Sequence, residues 1–365
     1  MKPFFSIIIP CCDVEQYIGE CLDSVLGQSF QDWECLCGVE KSKDKTEEIV
    51  REYGARDGRI RIFTCERSGS CSATRNTGTE MAQGDYVIFL DGDDSITENS
   101  LEILHRKIAE RPGADLYPCA IQAYTEGTGE CEIRDNFTSA SPAEMSGIEA
   151  TLEIDRLWGG PFCPMLQLTV FRREFLMEHN LRCIYGLRRQ DSEFSPRALY
   201  LAKRVVPLHE AFYLYRIRVN SVSSSARGPG YFHKDWAIIT RSLLAFFGKV
   251  SREPGFDARI ASCWIRQWFS RFIFFWFSPA NMSSIPRKQR VETLNMIFEN
   301  GFSDFDSLLK FAPSYKRVLG CWVHIFVRCP VFRLPAEWLF RGYFLLTGLR
   351  EGKTASFRSP RPSNP

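Results

Sequence analysis

Gly84-Asp-Tyr-Val-Ile-Phe-Leu-Asp-Gly-Asp-Asp94 is the stretch on which the reading of the chain turns. Tyr86 to Leu90 is a short apolar run that stops abruptly at three carboxylates, the pattern of a buried strand ending at a sheet rim. Similar runs lie upstream. Phe4 to Ile9 is apolar apart from Ser6 and stops at Pro10, Trp33 to Val39 is the second run, and Ile60 to Phe63 the third. Helical signals separate them. Asp13-Val-Glu-Gln16 reads as a capping box ahead of Tyr17, Ile18, Cys21, Leu22, Val25 and Leu26, which share one face. Asp44-Lys-Thr-Glu47 reads as a second box before Ile49, Val50 and Tyr53. Ser70 opens a third helix, and Thr97 caps a fourth with Leu101, Leu104 and Ile108 inward.

Four β-α repeats at this spacing predict an α/β fold: a Rossmann-like, mostly parallel sheet with right-handed crossovers and helices on both faces. Ligands of such sheets bind beyond the carboxyl ends of the strands. That rule gathers Pro10 to Asp13, Glu40 and Asp91 to Asp94 on one rim. Three adjacent carboxylates repel one another unless a cation lies among them. Mg²⁺ or Mn²⁺ suits them, being hard ions that take carboxylate oxygen and keep positions for phosphate. In extended backbone Asp91 and Asp93 face the same side, and Gly92 admits close approach.

Farther on, the pattern loosens. Val170 to Phe175 and Val205 to Tyr215 read as extended, and Ser192 to Ala202 as a short helix. Ser221 to Gly230 reads as a linker or loop. Helices are expected near 232–250, 257–277, 286–300 and 315–347, with a disordered Ser-, Arg- and Pro-rich tail. The resulting division is 1–112, a β-α half; 113–228, a less regular half; 229–350, a C-terminal helical region; and 351–365, the tail.

The 365 residues carry a net charge of +2, which gives no global field for nucleic acid. Fourteen cysteines occur without paired CxxC knuckles or Cys-His spacing, as expected of reduced thiols in a cytoplasmic protein. No run reaches the roughly 18 apolar residues of a membrane span. Cys263 to Phe277 is rich in Trp and Phe with Arg266 and Arg271 among them, and Lys316 to Arg350 holds six basic residues against Glu337. Two readings stand open there: helices at the anionic inner face of the cell membrane, or helices packed on the core with Arg stems over apolar surface.

Seven segments in order resemble the family 2 glycosyltransferases of GT-A fold, the bacterial surface-polysaccharide type. They are Ser6 to Pro10, Ile18 to Phe30, Ser72-Ala-Thr-Arg-Asn-Thr-Gly78, Gly84 to Asp94, Phe171 to Leu176, Gln190-Asp-Ser-Glu-Phe194 and Tyr213 to Ser223. The resemblance covers roughly residues 4–225. It implies a nucleotide-sugar donor, UDP-linked, a divalent metal, and transfer with inversion to a saccharide or lipid-linked acceptor. Carried over by position, Pro10, Cys12, Asp13 and Glu40 line the base pocket and Arg75 lies near the donor phosphates or the base. Asp91 meets the ribose or phosphate side and the metal, Asp93 is the metal ligand, and Asp191 is the base that deprotonates the acceptor hydroxyl. Three positions depart from the family pattern: Cys12-Asp13 in place of an aromatic residue and Asn, Val39-Glu40 in place of two Asp, and Gln190 in place of Glu. They leave two rivals, a catalytically silent sugar-binding scaffold and a nucleotidyltransferase, although Ile9 to Val14 lacks the latter's glycine-rich phosphate loop.

Overall fold

The structure, a computed structural model, describes residues 2–158, 166–218, 233–264, 285–299 and 301–311, with 317, 321 and 323. Two compact units emerge: Met1–Glu153 with Cys163–Ser225, and Ile154–Phe162 with Ala226–Pro365. The expectations for Ser221 to Gly230, most of Cys263 to Phe277 and 315–347, and the tail lie outside the described residues.

The first unit carries the expected sheet. β1 (Phe5–Cys11), β2 (Trp33–Glu40), β3 (Ile60–Cys65) and β4 (Tyr86–Phe89) are parallel, in the order β3-β2-β1-β4. β6 (Leu116–Pro118) and β9 (Thr169–Arg172) extend it past β4, with β9 antiparallel to both neighbours. The chain thus winds outward from β1 in one direction and returns to β4 on its other side, and that reversal opens the crevice where such sheets bind ligands. α1 (Ile18–Leu26) lays Ile18, Leu22 and Val25 against Ile7 and Ile9 on one face. α3 (Ser72–Met81) covers the other, where a Cβ on Gly78 would stand 2.5 Å from Ile8. α2 (Thr46–Arg56) and α4 (Ser100–Glu110) complete the repeats.

β1 runs past Ile9 to Cys11, through Pro10. Phe4 and Ile8 accept backbone hydrogen bonds from Tyr86 and Leu90, so even-numbered residues of β1 face β4. At Pro10 that neighbour has ended, and the missing N–H costs no ladder bond.

The two capping boxes fare differently. Asp13 precedes α1 by five residues with φ 53° and does not cap it, whereas Asp44 Oδ1 accepts from Thr46 N, the first residue of α2, at 3.1 Å. The two loops also stitch to each other: Val14 N donates to Thr46 Oγ1 (2.8 Å), Glu15 N to Asp44 Oδ2 (3.0 Å), and Lys45 N to Glu15 Oε2 (2.9 Å). Neighbouring parallel strands deliver their following loops side by side, and these cross-loop bonds take acceptors that local capping would have used. Thr97, like Asp13, is no cap for α4. Gln28 supplies that acceptor from a distance, its Oε1 receiving Leu101 N at 3.0 Å. Phe175, expected in a strand, lies in α6 (Arg173–Glu178), because β9 stops at Arg172.

A second sheet orders β5 (Ser95–Ile96), β10 (Ala211–Ile217), β7 (Ala120–Thr125) and β8 (Cys131–Arg134). β5 continues directly from the acidic turn and pairs antiparallel with β10, Ile96 opposite Tyr213. α5 (Gly147–Trp158) and α7 (Asp191–Leu201) complete the layout. In the second unit α8 (His233–Val250) packs on α10 (Arg287–Ile297) and α11 (Ser303–Leu309), while α9 spans Ala258–Trp264. Among the described residues no helix is long and apolar enough to cross a membrane.

Candidate functional site

Strand β4 drives the chain into Asp91 at the reversal of strand order, with Gly92 pressed against β1. A Cβ on Gly92 would lie 2.8 Å from the Pro10 carbonyl oxygen, so only glycine admits this approach. The turn then closes with Asp94 N donating to Asp91 O at 3.0 Å.

Each carboxylate of the cluster has its own partners. Asp91 accepts from Arg75 Nη2 and from Gln167 Nε2, each at 2.6 Å, which engages both oxygens. Asp94, 3% exposed, accepts from the Tyr213 hydroxyl at 2.6 Å and from Arg216 N at 2.8 Å. The same tyrosine oxygen accepts from Asp91 N at 3.1 Å. Asp93 accepts from Arg218 Nη2 at 2.6 Å, and its carbonyl from Arg216 Nε at 3.1 Å. The guanidinium groups of Arg75 and Arg218 thus each bond one carboxylate of the cluster. Burial and then the neighbouring carboxylates raise Asp93 and, more strongly, Asp94 above the ordinary Asp range, while Arg218 pulls Asp93 back.

Arg75 ties the cluster to residues a hundred positions away. It lies on the buried face of α3, and its Nη1 donates to Gln190 Oε1 at 3.3 Å. Burial is the largest single influence and disfavours its charge, but Asp91 together with Cys71 and Cys183 outweighs it, and the net shift is upward. Its Nε is buried with no hydrogen-bond partner among the described residues. An unsatisfied donor on a buried cation is costly and marks a place for an anionic oxygen. Gln190 brings Asp191, the first residue of α7, to the same end of the sheet. Burial raises the Asp191 carboxyl, with the Arg75 and Arg189 charges opposing. A carboxylate shifted this way is a better proton acceptor than a solvated one.

The remaining rim residues gather beside the ends of β1 and β2. Glu40 is 4% exposed, accepts from Ser68 N at 3.3 Å, and is raised by burial. Asp13 is exposed and pinned by Lys43 N (2.7 Å) and the Arg67 guanidinium, which hold its carboxyl below the ordinary range. Cys12 is half-buried between them, and its thiol is pushed up first by burial. The rim thus brings Pro10, Cys12, Asp13 and Glu40 together on one side and Arg75, Asp91, Asp93 and Asp191 on the other.

A hard divalent cation takes carboxylate, phosphate and water oxygens. Among the described residues no three His, Cys, Asp or Glu side chains are grouped to hold an ion alone. The donor set fits an ion shared with a diphosphate, through Asp93, rather than one caged by protein. Asp91 would act beside it, through Arg75 and Gln167.

Sequence reasoning missed Gln167 and the polar work of Tyr213. Gln167 arrives from a single 3-10 turn, Leu166–Leu168, with no periodicity to betray it. Tyr213 alternates with Tyr215 as packing rings do, and only the β5–β10 pairing turns its hydroxyl toward the acids.

Comparison with known proteins agrees with this geometry. Residues 6–179 match the Glycosyl transferase family 2. The uncharacterised glycosyltransferase EpsJ of Bacillus subtilis is 30% identical over 233 residues, 63% of this chain and 65% of that protein. The minor teichoic acid biosynthesis protein GgaB of the same organism is 31% identical over 253 residues, 66% of this chain and 26% of that protein. The chain spans less than two thirds of the length of either relative. A crystal structure of S. aureus TarS residues 1–349 in complex with UDP-GlcNAc superposes with a TM-score of 0.67, covering 94% of this chain and 92% of that one at 19% identity. Residues 6–179 are accordingly similar to glycosyl transferase family 2, and the chain takes the fold of TarS.

Proposed function

We propose that the chain is an inverting glycosyltransferase that moves a sugar from a UDP-sugar to a saccharide or lipid-linked acceptor in cell-surface polysaccharide assembly. The observation that carries this reading is Arg75, which bonds the acidic turn and Gln190 at once and leaves a buried N–H without a partner. It makes one site of a phosphate-facing rim and a shielded aspartate. TarS with UDP-GlcNAc supports a uridine nucleotide, and the name of GgaB supports a wall polymer.

In this reading Glu40 accepts from the base and Arg75 holds the donor phosphates. Mg²⁺ or Mn²⁺ on Asp93, when bound, offsets charge growing on the leaving diphosphate. Asp191 takes the proton of the acceptor hydroxyl as its oxygen attacks the anomeric carbon from the face opposite the leaving group. Gln190 offers Arg75 a neutral acceptor where a carboxylate would compete with phosphate. A second reading, a silent sugar-binding scaffold, draws on the same cluster, because Asp91 and Asp94 each have both oxygens already hydrogen-bonded within the protein. A screen of nucleotide sugars with Mn²⁺ separates the two: release of free nucleotide from one donor supports the enzyme. Binding of UDP without turnover of any donor, with or without acceptor, favours the scaffold.

A further inference from the structure

Of the three carboxylates in the acidic turn, only Asp93 takes its counter-charge from the end of a strand. Asp91 is held from α3 and the 3-10 turn, and Asp94 from within β10. Arg218 stands one residue beyond β10 and donates Nη2 to Asp93 Oδ2 at 2.6 Å, with both side chains about a quarter exposed. Its guanidinium also lies 4.9 Å from the centre of the Tyr17 ring. Arg216, two residues earlier, is anchored quite differently. Its Nη2 donates to Glu20 (2.6 Å), its Nε to the Asp93 carbonyl (3.1 Å), and the group rests 5.0 Å from both Tyr17 and Tyr124. Arg216 is a fixture of the turn. Arg218 occupies the one carboxylate that an ion shared with a diphosphate would need.

We propose that Arg218 is an exchangeable placeholder: it neutralises Asp93 before the donor arrives, yields that carboxylate to the incoming divalent cation, and passes its own guanidinium to the donor diphosphate. The inference rests on the glycosyltransferase reading above and adds a residue and an order of events to it. Two physical points carry it. A planar fork beside the metal position suits phosphate oxygens in pairs, which a fixed point charge does not. The exchange also leaves no bare charge at any stage, since the cation replaces the guanidinium on Asp93 while phosphate replaces Asp93 on the guanidinium. Arg218 is thus a positioning residue toward the metal and a binding residue toward the donor.

The test compares full-length wild type, Arg218→Gln, Arg218→Lys and Asp93→Asn, with free Mn²⁺ followed by electron paramagnetic resonance and UDP binding by calorimetry. With the competitor removed, Arg218→Gln binds Mn²⁺ alone about five- to tenfold more tightly than wild type. The same variant binds UDP in saturating Mn²⁺ about five- to tenfold more weakly. Arg218→Lys restores most of the wild-type behaviour toward Mn²⁺ and less of it toward UDP, and Asp93→Asn loses Mn²⁺. Should Arg218→Gln and wild type bind Mn²⁺ alike while wild type still binds UDP with Mn²⁺, the placeholder is refuted and the enzyme reading stands. If wild type binds neither UDP nor Mn²⁺ under any condition, the reading itself fails and takes the placeholder with it. Arg218→Lys keeps the ion pair and covers the case in which the Gln variant misfolds.

Discussion

Removing one oxygen atom, in Tyr213→Phe, should unlatch the acidic turn. The ring is fully buried, and its hydroxyl does two jobs: it donates to Asp94 Oδ2 at 2.6 Å and accepts from Asp91 N at 3.1 Å. Loss of a hydrogen bond to a charged group costs about 1.5–3 kcal/mol, and an orphaned buried N–H about 1–3 kcal/mol more. The two share one atom and do not add fully, so about 3 kcal/mol is the expected destabilisation. At roughly 2–4 °C per kcal/mol for a unit of this size, the melting temperature falls by about 6–12 °C. The effect also carries a pH signature. Tyr213 lowers the Asp94 pKa, against burial and the neighbouring carboxylates that raise it. The bond is strongest to the ionised carboxylate, so the gap between wild type and variant narrows as pH falls and Asp94 gains its proton. Thermal and urea unfolding across pH 4.5–8, read with UDP titration, measure both. A variant within about 0.5 kcal/mol of wild type, or a gap that widens toward acid, refutes the reasoning.

Three further outcomes follow from the same contacts. Asp191→Asn should abolish sugar transfer by about 10²–10⁴-fold while leaving UDP affinity within a factor of two, measured by product formation and calorimetry. For wild type, activity falls as pH drops through the Asp191 pKa. Burial raises that pKa, so the acid limb of the rate profile lies above 3.8, the ordinary value. Asp93→Asn and Asp94→Asn should separate, the first losing Mn²⁺ binding with little change in melting temperature, the second losing stability first because Asp94 anchors Tyr213 and Arg216. Glu34→Ala is the structural contrast. This carboxylate is 5% exposed and accepts from Ser6 Oγ, Gln83 N and Arg61 Nη1 at 2.6–2.7 Å, near the start of β1 and away from the rim. About 3–5 kcal/mol should be lost in urea unfolding, with unchanged turnover per folded molecule.

What was legible in the sequence was what the parallel sheet imposes everywhere. A strand buried on both faces needs a largely apolar run, and Phe5–Cys11, Trp33–Glu40 and Tyr86–Phe89 supply one, with Ser6 and Glu34 buried as hydrogen-bonded partners of each other. The strand ends fix the rim, so Pro10, Glu40 and Asp91 were placed together before any coordinate. Helix starts were misread because caps are local signals and the competing partners were not. Asp44 gave one oxygen to Glu15 N, and Leu101 N found Gln28, 73 positions earlier. Asp191 was visible only through the family pattern, since an Asp at a helix start is ordinarily a cap. Gln167 left no trace at all, because a single 3-10 turn has no period to read.

The charge balance of the turn explains why its acids differ in what they can do. A carboxylate with a donor on each oxygen is fixed in place. Asp91, held from α3 and the 3-10 turn, and Asp94, held twice from β10, are of that kind. Their rigidity is useful to the third, since Asp93 is carried on a turn whose two ends are clamped, one to α3 and the other to β10. The antiparallel pairing of β5 with β10 does the clamping, and it delivers Tyr213, Arg216 and Arg218 to the same turn at successive depths. A mobile loop could present the same three carboxylates, yet they would spread apart or take up protons in the absence of metal. In the proposed exchange, fixing two of them with buried donors and the third with the Arg218 guanidinium would keep a ligand ready in a shielded place.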